Sequence, residues 1–275
     1  MQKSILITGC SSGIGYYCAK ELSKAGWKVY ATARKHQDVT RLNNEGLTSY
    51  QLDLDDSESI KSAVDKILAD TGGTLDALFN NAAFGQPGAV EDLTRDVMRE
   101  SFETNVFGTM ELCNLIVPVM RKQGYGRIIQ NSSVLGFVCM PYRGCYNASK
   151  YALEGFSDTL RLELSDTNIK VSIIEPGPIV SKFRENAHKK FIHNIDLDNS
   201  AHSKVYKSVA ARLDSINRST KFTKGPEAVH KALMHALESK QPKIRYWVTT
   251  PTKMFGFLTR VLPARIIDKM LAKYI

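Results

Sequence analysis

Ile5-Leu6-Ile7-Thr8-Gly9-Cys10-Ser11-Ser12-Gly13-Ile14-Gly15 stands near the start of the chain. Its first residues have the apolar, β-branched character of a buried strand, and a helical pattern begins inside the glycine run that follows. Free backbone N–H groups and the dipole at a helix N-terminus attract an anion, while glycine allows its close approach. The segment therefore predicts a phosphate-binding turn in an α/β fold. A plain tight turn is the alternative, since the spacing is GxxxGxG rather than GxGxxG.

The strand-like pattern recurs along the chain and alternates with helical periodicity. Strands are predicted at residues 5–8, 28–33, 49–52, 77–80, 127–131, 171–175 and 244–248. Helices are predicted at residues 13–25, 57–71, 95–123, 146–164 and 226–238. This alternation predicts a doubly wound fold, with helices on both faces of a mostly parallel seven-stranded sheet, in one domain spanning residues 1–275. Residues 181–224 are polar, basic and weakly periodic, and we expect them to form a substrate lid.

Composition places the chain among globular proteins. Its 43% hydrophobic and 24% charged residues are near the globular average. No apolar run approaches the roughly 18 residues of a membrane span, and the first residues lack a signal-peptide pattern, so we expect a cytoplasmic protein. The five cysteines are odd in number and lack metal-site spacing, so reduced thiols and no metal are expected.

The net charge of +9 is unevenly distributed. Residues 1–181 hold 18 Lys and Arg against 21 Asp and Glu, whereas residues 182–275 hold 19 against 7. Such a basic region indicates nucleic acid, an anionic membrane surface or an acidic substrate. Nothing resembles a helix-turn-helix, zinc finger or RNA-binding motif, so a nucleic-acid-binding protein is only a minor alternative and no nucleic acid partner is expected.

The end of the second predicted strand indicates which dinucleotide the glycine turn would bind. Arg34 follows Ala33 there, 19 residues past Gly15. A carboxylate at this place would bind the ribose of NAD, whereas a guanidinium favours the additional phosphate of NADP. We therefore expect NADP(H) as the cofactor. A solvated basic loop is the alternative interpretation, and it suits Lys35 better than Arg34.

Two Tyr-x-x-x-Lys pairs place a phenol and an ammonium one helical turn apart. A tyrosine with its ordinary pKa of about 10 acts as an acid or base near neutrality only when its phenolate is stabilised, and a nearby cation does this. Tyr16 and Lys20 lie on the first helix, where a packing or surface role is expected. Tyr146 and Lys150 follow a strand ending in Asn131-Ser132-Ser133, at the sheet edge where ligands bind, and are predicted to be the catalytic pair.

An ordered set of motifs resembles the short-chain dehydrogenase/reductase family and spans most of residues 1–181. The motifs are Thr8 to Gly15, Asn80-Asn81-Ala82-Ala83, Asn105, Ser133, Tyr146 with Lys150, and Pro176-Gly177-Pro178-Ile179. The resemblance implies that Tyr146 exchanges a proton with the substrate oxygen and that Ser133 holds this oxygen. Lys150 would lower the tyrosine pKa and bind the nicotinamide ribose, and Asn105 would hold a water in a proton relay. Ser132 is then a structural hydroxyl.

The resemblance also implies a set of cofactor-binding residues. They are Gly9, Ser11, Ser12, Gly13, Ile14, Gly15, Arg34, Asp53, Leu54, Asn81, Ala82, Tyr146, Lys150, Pro176, Gly177, Ile179 and Ser181. Two positions depart from the family pattern, because Ala83 stands where glycine is usual and Ser181 where threonine is commoner. Neither departure removes a catalytic group.

Within the family, the glycine turn and residues 29–34 are most similar to 17β-type hydroxysteroid dehydrogenases and acyl-dihydroxyacetone-phosphate reductases. This similarity implies an NADP(H)-dependent oxidoreductase that acts on a carbonyl or secondary alcohol of a lipophilic substrate, such as a steroid, retinoid or acyl lipid. It also implies a homo-oligomer, either a dimer or a tetramer. A non-catalytic NADP-binding regulatory protein is the alternative.

Residues 251–275 form an amphipathic, basic C-terminal extension in which Pro263 is predicted to separate two short helices. In one interpretation its apolar residues pack over the lid or a partner subunit and wall an apolar pocket. These residues are Phe255, Phe257, Leu258, Ile266 and Met270. In the other, the face lies on an anionic membrane, from which a lipid carbonyl enters the site. The basic residues on which this second interpretation depends are Arg260, Arg265, Lys269 and Lys273.

Overall fold

The fold is a seven-stranded parallel sheet with helices on both faces, seen in a computed structural model that describes residues 2–214 and 222–272. The strands are β1 (Ser4–Ile7), β2 (Lys28–Ala33), β3 (Thr48–Gln51), β4 (Ala77–Asn80), β5 (Gly126–Asn131), β6 (Ile169–Glu175) and β7 (Arg245–Trp247). Their spatial order is β3-β2-β1-β4-β5-β6-β7, so the order reverses between β1 and β4. The doubly wound fold and all seven predicted strands are confirmed, with ends that shift by one or two residues.

Eleven α-helices are seen in the described ranges. They are α1 (Gly13–Lys24), α2 (His36–Asn44), α3 (Ser57–Thr71), α4 (Arg95–Phe102), α5 (Gly108–Gln123), α6 (Gly144–Glu163), α7 (Phe183–Asn194), α8 (Ser203–Asp214), α9 (Glu227–Glu238), α10 (Thr250–Val261) and α11 (Ala264–Leu271). The prediction of one helix over residues 95–123 is wrong, because a π-helical turn at Glu103–Phe107 separates α4 from α5. Helix α2 was not predicted, since Leu42 is its only buried residue and its periodic signal is correspondingly weak.

The central strands are buried on both faces. Ile5 and Ile7 of β1 belong to a core that packs against α1 and α9, and Leu6 points into a second core formed with α3 and α5. Alternate residues of a strand point to opposite faces, so each strand contributes to both cores. Burial of one such side chain stabilises the fold by about 1.5–3 kcal/mol. The sheet edge that carries the candidate site is thereby held rigidly.

Two smaller apolar clusters attach the last third of the chain to this framework. Phe191 of α7 and Tyr206 of α8 pack with Cys145 at the start of α6, so the described part of residues 181–224 contains two helices. Residues 215–221 of the predicted lid lie outside the described ranges. Phe255 of α10 and Ile267 of α11 pack against the turn that follows β5.

The two predicted tail helices are found on either side of Pro263. Phe255 is buried, and Leu258 and Met270 are partly buried in the same cluster. Phe257 and Ile266 do not pack fully against this chain, as the packing interpretation would allow, because 61% and 46% of their surfaces are exposed. Lys273 lies outside the described ranges. No helix within the described ranges has the length and apolarity needed to cross a bilayer.

Candidate active site

The glycine turn after β1 has the backbone conformation that a phosphate-binding loop requires. Gly9 and Gly13 have φ angles of 71° and 61°, in the left-handed region that favours glycine. At Gly15 an added Cβ would overlap the carbonyl oxygen of Gly9 and lie 2.6 Å from Asn81 Nδ2. Ser12 precedes α1 without capping it through its side chain, so no side-chain oxygen covers the first amide groups of the helix. The loop residues therefore fit a dinucleotide diphosphate.

Two other sheet-edge segments meet the glycine turn. The Thr8 hydroxyl accepts hydrogen bonds from the backbone N–H groups of Asn81 (2.9 Å) and Ala82 (3.0 Å). A Cβ at Gly13 would lie 2.9 Å from Ser181 Cβ, which brings the segment after β6 to the same place. The structure thus joins candidate residues that are more than 160 positions apart. Ala83 is accommodated, because its φ is not positive and no glycine is required there.

The segment after β6 is fixed from both sides. Val134 N donates to Pro176 O at 2.8 Å. A Cβ at Gly177 would overlap Thr249 Oγ1, so only glycine fits in this close packing. Ile179 forms an isolated parallel bridge with Lys224. Pro176, Gly177 and Ile179 are therefore presented at the carboxyl end of β6 with little freedom.

Arg34, Asp53 and Leu54 follow β2 and β3, on the side of the sheet where the adenosine end of a dinucleotide would lie. Arg34 is exposed, and its guanidinium makes no hydrogen bond or ion pair with any residue that the structure describes. Arg41 of α2 was missed at the sequence level. Its Nη2 donates to Ser11 O at 2.7 Å, which places a second guanidinium beside the glycine turn. No sequence signal marked it, because α2 itself was not recognised.

Tyr146 and Lys150 lie on the first turns of α6, as the spacing predicts. Lys150 Nζ is 5.8 Å from the centre of the Tyr146 ring and donates to Asn131 O at 2.8 Å. Ser133 is close enough to Tyr146 to lower the pKa of its hydroxyl, and Ser133 Oγ accepts from Leu135 N at 3.1 Å. Asn131 donates in turn to Asn81 Oδ1 at 2.9 Å, which links the pair to the cofactor edge. The structure therefore brings Tyr146, Lys150 and Ser133 together.

Burial governs the protonation of this pair. Burial raises the pKa of Tyr146, and the hydrogen bond from Ser133 opposes the rise. Burial lowers the pKa of the Lys150 ammonium to about 8, while the negative charge of Glu154 acts in the opposite direction. Both shifts favour the neutral forms, as expected for ionisable groups removed from water. Groups with pKa values perturbed by burial are characteristic of functional sites.

The side chain of Asn105 is engaged by protein partners. Its Oδ1 accepts from Phe84 N and its Nδ2 donates to Phe84 O, both at 3.0 Å. The same Nδ2 lies 3.1 Å from the Ser149 hydroxyl, on the helix that carries Tyr146. Asn105 is thus a buried clamp between α6 and the segment after β4. The π-helical turn places it there, and such turns are frequent at functional sites.

Tyr16 differs clearly from Tyr146. Its hydroxyl donates to Glu45 Oε2 at 2.6 Å, and Lys20 donates to Glu45 O at 3.2 Å. The hydrogen bond to Glu45 raises the pKa of Tyr16, which disfavours a phenolate. This pair lies on α1, so its expected packing role agrees with the structure.

A buried acidic network lies behind Lys150 and was not predicted. Arg245 of β7 binds Glu175 (3.1 Å), Glu154 (3.0 Å) and Asp158 (2.6 Å). Glu154 Oε1 and Glu175 Oε2 are buried and have no hydrogen-bond partner among the described residues. Burial, followed by the charge of Glu154, raises the pKa of Glu175 to about 8, so this carboxyl is the one that holds a proton near neutrality. Ser132 Oγ and Glu154 Oε1 both border Gly136, so Ser132 lies beside this network, consistent with a structural hydroxyl.

The substrate side of Tyr146 is apolar. Its ring lies 5.3 Å, centre to centre, from Phe183 at the start of α7, and it packs at the edge of the tail cluster with Phe137 and Met140. No group of three potential metal-ligating side chains is found within the described ranges. The Tyr146 hydroxyl can therefore donate or accept a proton next to an apolar surface formed by Phe183, Phe137 and Met140.

Known proteins resemble this chain over nearly its whole length. The sequence profile described as short chain dehydrogenase matches residues 3–191. The uncharacterized oxidoreductase YbbO of Escherichia coli is 44% identical over 98% of this chain and 94% of its own length. Human 17-beta-hydroxysteroid dehydrogenase type 1 is 32% identical over 89% of this chain and 77% of its own. The 3-ketodihydrosphingosine reductase of Bacteroides thetaiotaomicron is 40% identical over 66% of both chains.

Solved structures agree with this relationship. A short-chain dehydrogenase from Streptomyces avermitilis superimposes with a TM-score of 0.79, at 27% identity over 98% of this chain and 95% of its own. A polyketide ketoreductase with NADPH gives 0.72, at 25% identity over 90% and 95% of the two chains. A Burkholderia phymatum structure in complex with NAD gives 0.80, at 22% identity over 98% and 95%, and shows the fold alone. The chain belongs to the short-chain dehydrogenase/reductase family of oxidoreductases.

Proposed function

We propose that this protein is an NADP(H)-dependent oxidoreductase that interconverts a carbonyl and a secondary alcohol on a lipophilic substrate. The observation that carries the proposal is the group of Tyr146, Ser133 and the buried Lys150, which shares one sheet edge with the glycine turn. The cofactor, when bound, supplies or accepts a hydride at the substrate carbon. The residues of the glycine turn, together with Arg34, Asp53, Asn81 and the segment after β6, are proposed to hold it.

Tyr146 would carry the proton chemistry. In reduction its hydroxyl gives a proton to the substrate oxygen, and in oxidation its phenolate takes the proton from the alcohol. Ser133 holds the substrate oxygen by a hydrogen bond. A charged Lys150 stabilises the phenolate that burial disfavours, which is the reason for a cation one helical turn away. Because the side-chain amide of Asn105 is bound to Phe84 and Ser149, we propose that it positions α6, while its role in a proton relay rests on the family resemblance.

NADP(H) is favoured over NAD(H) by the exposed cation at Arg34 and by the absence of a carboxylate at Ala33. A charge-assisted contact contributes about 1.5–3 kcal/mol, so Arg34→Ala should weaken NADP(H) binding roughly 10- to 100-fold and leave NAD(H) binding nearly unchanged. Fluorescence titration with both cofactors measures this. Arg99→Ala, an exposed arginine of α4, is the matched control. Equal weakening of both cofactors by Arg34→Ala would refute the assignment.

A lipophilic substrate is supported by the apolar surroundings of Tyr146. The ring meets Phe183 on one side and the tail cluster, with Phe137 and Met140, on another. Two relatives have names that refer to lipids, a hydroxysteroid and a ketosphingoid base. In this arrangement residues 181–224 form the substrate lid of a single domain spanning residues 1–275.

The deciding experiment is a screen of lipophilic ketones, aldehydes and secondary alcohols with both cofactors. Tyr146→Phe should lower turnover at least about 100-fold while cofactor affinity is retained, because only the hydroxyl is removed. Lys150→Ala should lower turnover and also weaken cofactor binding. Tyr16→Phe, the matched control on α1, should keep wild-type turnover. If no compound reacts, or if both tyrosine changes act alike, the proposed function is wrong.

The exposed apolar surfaces support two proposals about assembly. Phe156 and Leu162 of α6 are exposed, as expected for a homo-oligomer that covers this helix. Phe257, Val261 and Ile266 of the tail are exposed beside basic residues, which suits peripheral contact of a cytoplasmic enzyme with an anionic membrane. Sedimentation velocity tests the first proposal. Salt-sensitive cosedimentation with anionic but not neutral liposomes, lost on deleting residues 251–275, tests the second.

A further inference from the structure

Arg143 lies at the start of the helix that carries the reactive tyrosine. It is the N-cap residue of α6, three positions before Tyr146, and its guanidinium reaches Met140, which packs in the same cluster as Tyr146. The preceding residue, Tyr142, has a φ of 61°, which is uncommon and strained for a residue other than glycine. Gly88 holds this loop, since its N–H donates to Tyr142 O at 3.0 Å and it bridges to Arg143. Backbone strain that the surroundings maintain is concentrated at functional sites.

The guanidinium of Arg143 has no acidic partner among the described residues. Its side-chain hydrogen bond runs from Nη1 to Met140 Sδ at 2.6 Å, and a thioether is a weak acceptor. Burial, followed by the positive charges of Arg212 and Arg184, lowers the pKa of Arg143 to about 9. Arg245, also largely enclosed by protein, binds three carboxylates instead. Arg143 is therefore a half-buried cation that has no carboxylate partner among the described residues, an arrangement that an anion would stabilise.

Two further arginines act on Arg143, and one of them lies next to the ring that contacts Tyr146. Arg184 follows Phe183, whose ring contacts Tyr146, and Arg212 lies in the last turn of α8. The charges of both act on Arg143, so three elements of the chain converge there. Arg34, the candidate ligand of the cofactor phosphate, follows β2 on the other half of the sheet. The charges of Arg143, Arg184 and Arg212 are therefore placed to act on the substrate and not on the cofactor phosphate.

We propose that Arg143 is an anion-binding subsite for the substrate, which carries a carboxylate or phosphate group within reach of this guanidinium when its oxygen is at Tyr146. This inference rests on the proposed function and narrows the substrate to an anionic amphiphile. Guanidinium groups bind both anions through paired hydrogen bonds. The apolar part of such a molecule would contact Phe183 and the tail cluster.

The test compares straight-chain oxo-acids of increasing length with their methyl esters, and with phosphate monoesters of the matching hydroxyketones. Each pair differs only in the anion. At the favoured length we expect wild-type kcat/KM to be about 10- to 100-fold higher for the anion than for the neutral ester, the factor of one charge-assisted contact. Arg143→Met should abolish the preference for the anion and leave kcat/KM for the ester unchanged. Arg143→Lys should retain part of this preference. Arg99→Met is the matched control. The carboxylate and phosphate series identify which anion is used.

Binding separates this inference from the proposed function. A straight-chain carboxylate without a ketone should bind the wild-type protein more tightly than its methyl ester in calorimetry, and Arg143→Lys should narrow the difference, even if no turnover is found. If the wild-type protein showed equal kcat/KM and equal affinity for the acid and its ester, the proposed subsite would be wrong. The proposed oxidoreductase function would be unaffected by that result. The subsite would also be wrong if Arg143→Met lowered kcat/KM equally for the acid and the ester, or if it weakened NADP(H) binding.

Discussion

The protonated carboxyl of Glu175 makes the stability of this protein depend on pH in a direction that can be worked out from the structure. Its side chain is 1% exposed, its Oε1 binds Arg245, and its Oε2 has no hydrogen-bond partner among the described residues. Burial raises its pKa from the ordinary 4.5 to about 8. The folded chain therefore keeps a proton that the unfolded chain has already released. This contribution to stability is fully present below the unfolded pKa and is lost as pH rises through about 8.

The change to make is Glu175→Gln, which keeps a hydrogen-bond donor toward Glu154 and an oxygen toward Arg245 but does not titrate. One proton corresponds to a slope of about 1.4 kcal/mol per pH unit, so the wild-type free energy of unfolding should fall more steeply than that of the variant by up to this amount between about pH 4.5 and 8. The full difference over the window has a ceiling of about 5 kcal/mol. Above about pH 8 the variant should be the more stable protein.

Urea unfolding at a fixed protein concentration, repeated from about pH 5 to 8.5, measures both curves. Titrating groups distant from this network are the same in the two proteins, so the difference reports the titration of Glu175 together with its neighbour Glu154. Glu185→Gln is the control, because the hydrogen bond from Lys189 lowers the pKa of this exposed carboxyl and keeps it ionised throughout. Its curve should run parallel to that of the wild type. Parallel curves for Glu175→Gln as well would show that Glu175 carries no extra proton.

Two further changes test the cofactor turn and the tail. Gly15→Ala should weaken binding of either cofactor at least about 10-fold in fluorescence titration, because the added Cβ overlaps backbone atoms of the turn. Gly155→Ala is the control, because an added Cβ there meets nothing within 4 Å. This variant should bind the cofactor normally, and its free energy of unfolding should rise by up to about 1 kcal/mol. Phe255→Ala should reduce the free energy of unfolding by about 3–5 kcal/mol in urea, because this ring fills the tail cluster, whereas the exposed Phe257→Ala should change it by less than about 0.5 kcal/mol.

The short-range features of this protein were readable from the sequence. Strand periodicity, the glycine turn and the four-residue spacing of Tyr146 and Lys150 depend on neighbours along the chain, which local geometry determines. Parallel strands also place their carboxyl ends at one edge, so residues that follow different strands were expected to meet. Their meeting at Thr8, Asn81 and Ser181 agrees with this expectation.

Only the tertiary structure decided the charges that surround the reactive pair. Arg245 meets Glu154 and Glu175 across separations of 91 and 70 residues, and no local pattern encodes such a contact. That Arg143 meets no carboxylate within residues 2–214 and 222–272 is likewise a property of the three-dimensional neighbourhood. Periodicity reports which side chains are buried, whereas a pKa depends on which charges are buried beside them. The order of motifs could therefore identify the family, while the electrostatics of the site required the folded chain.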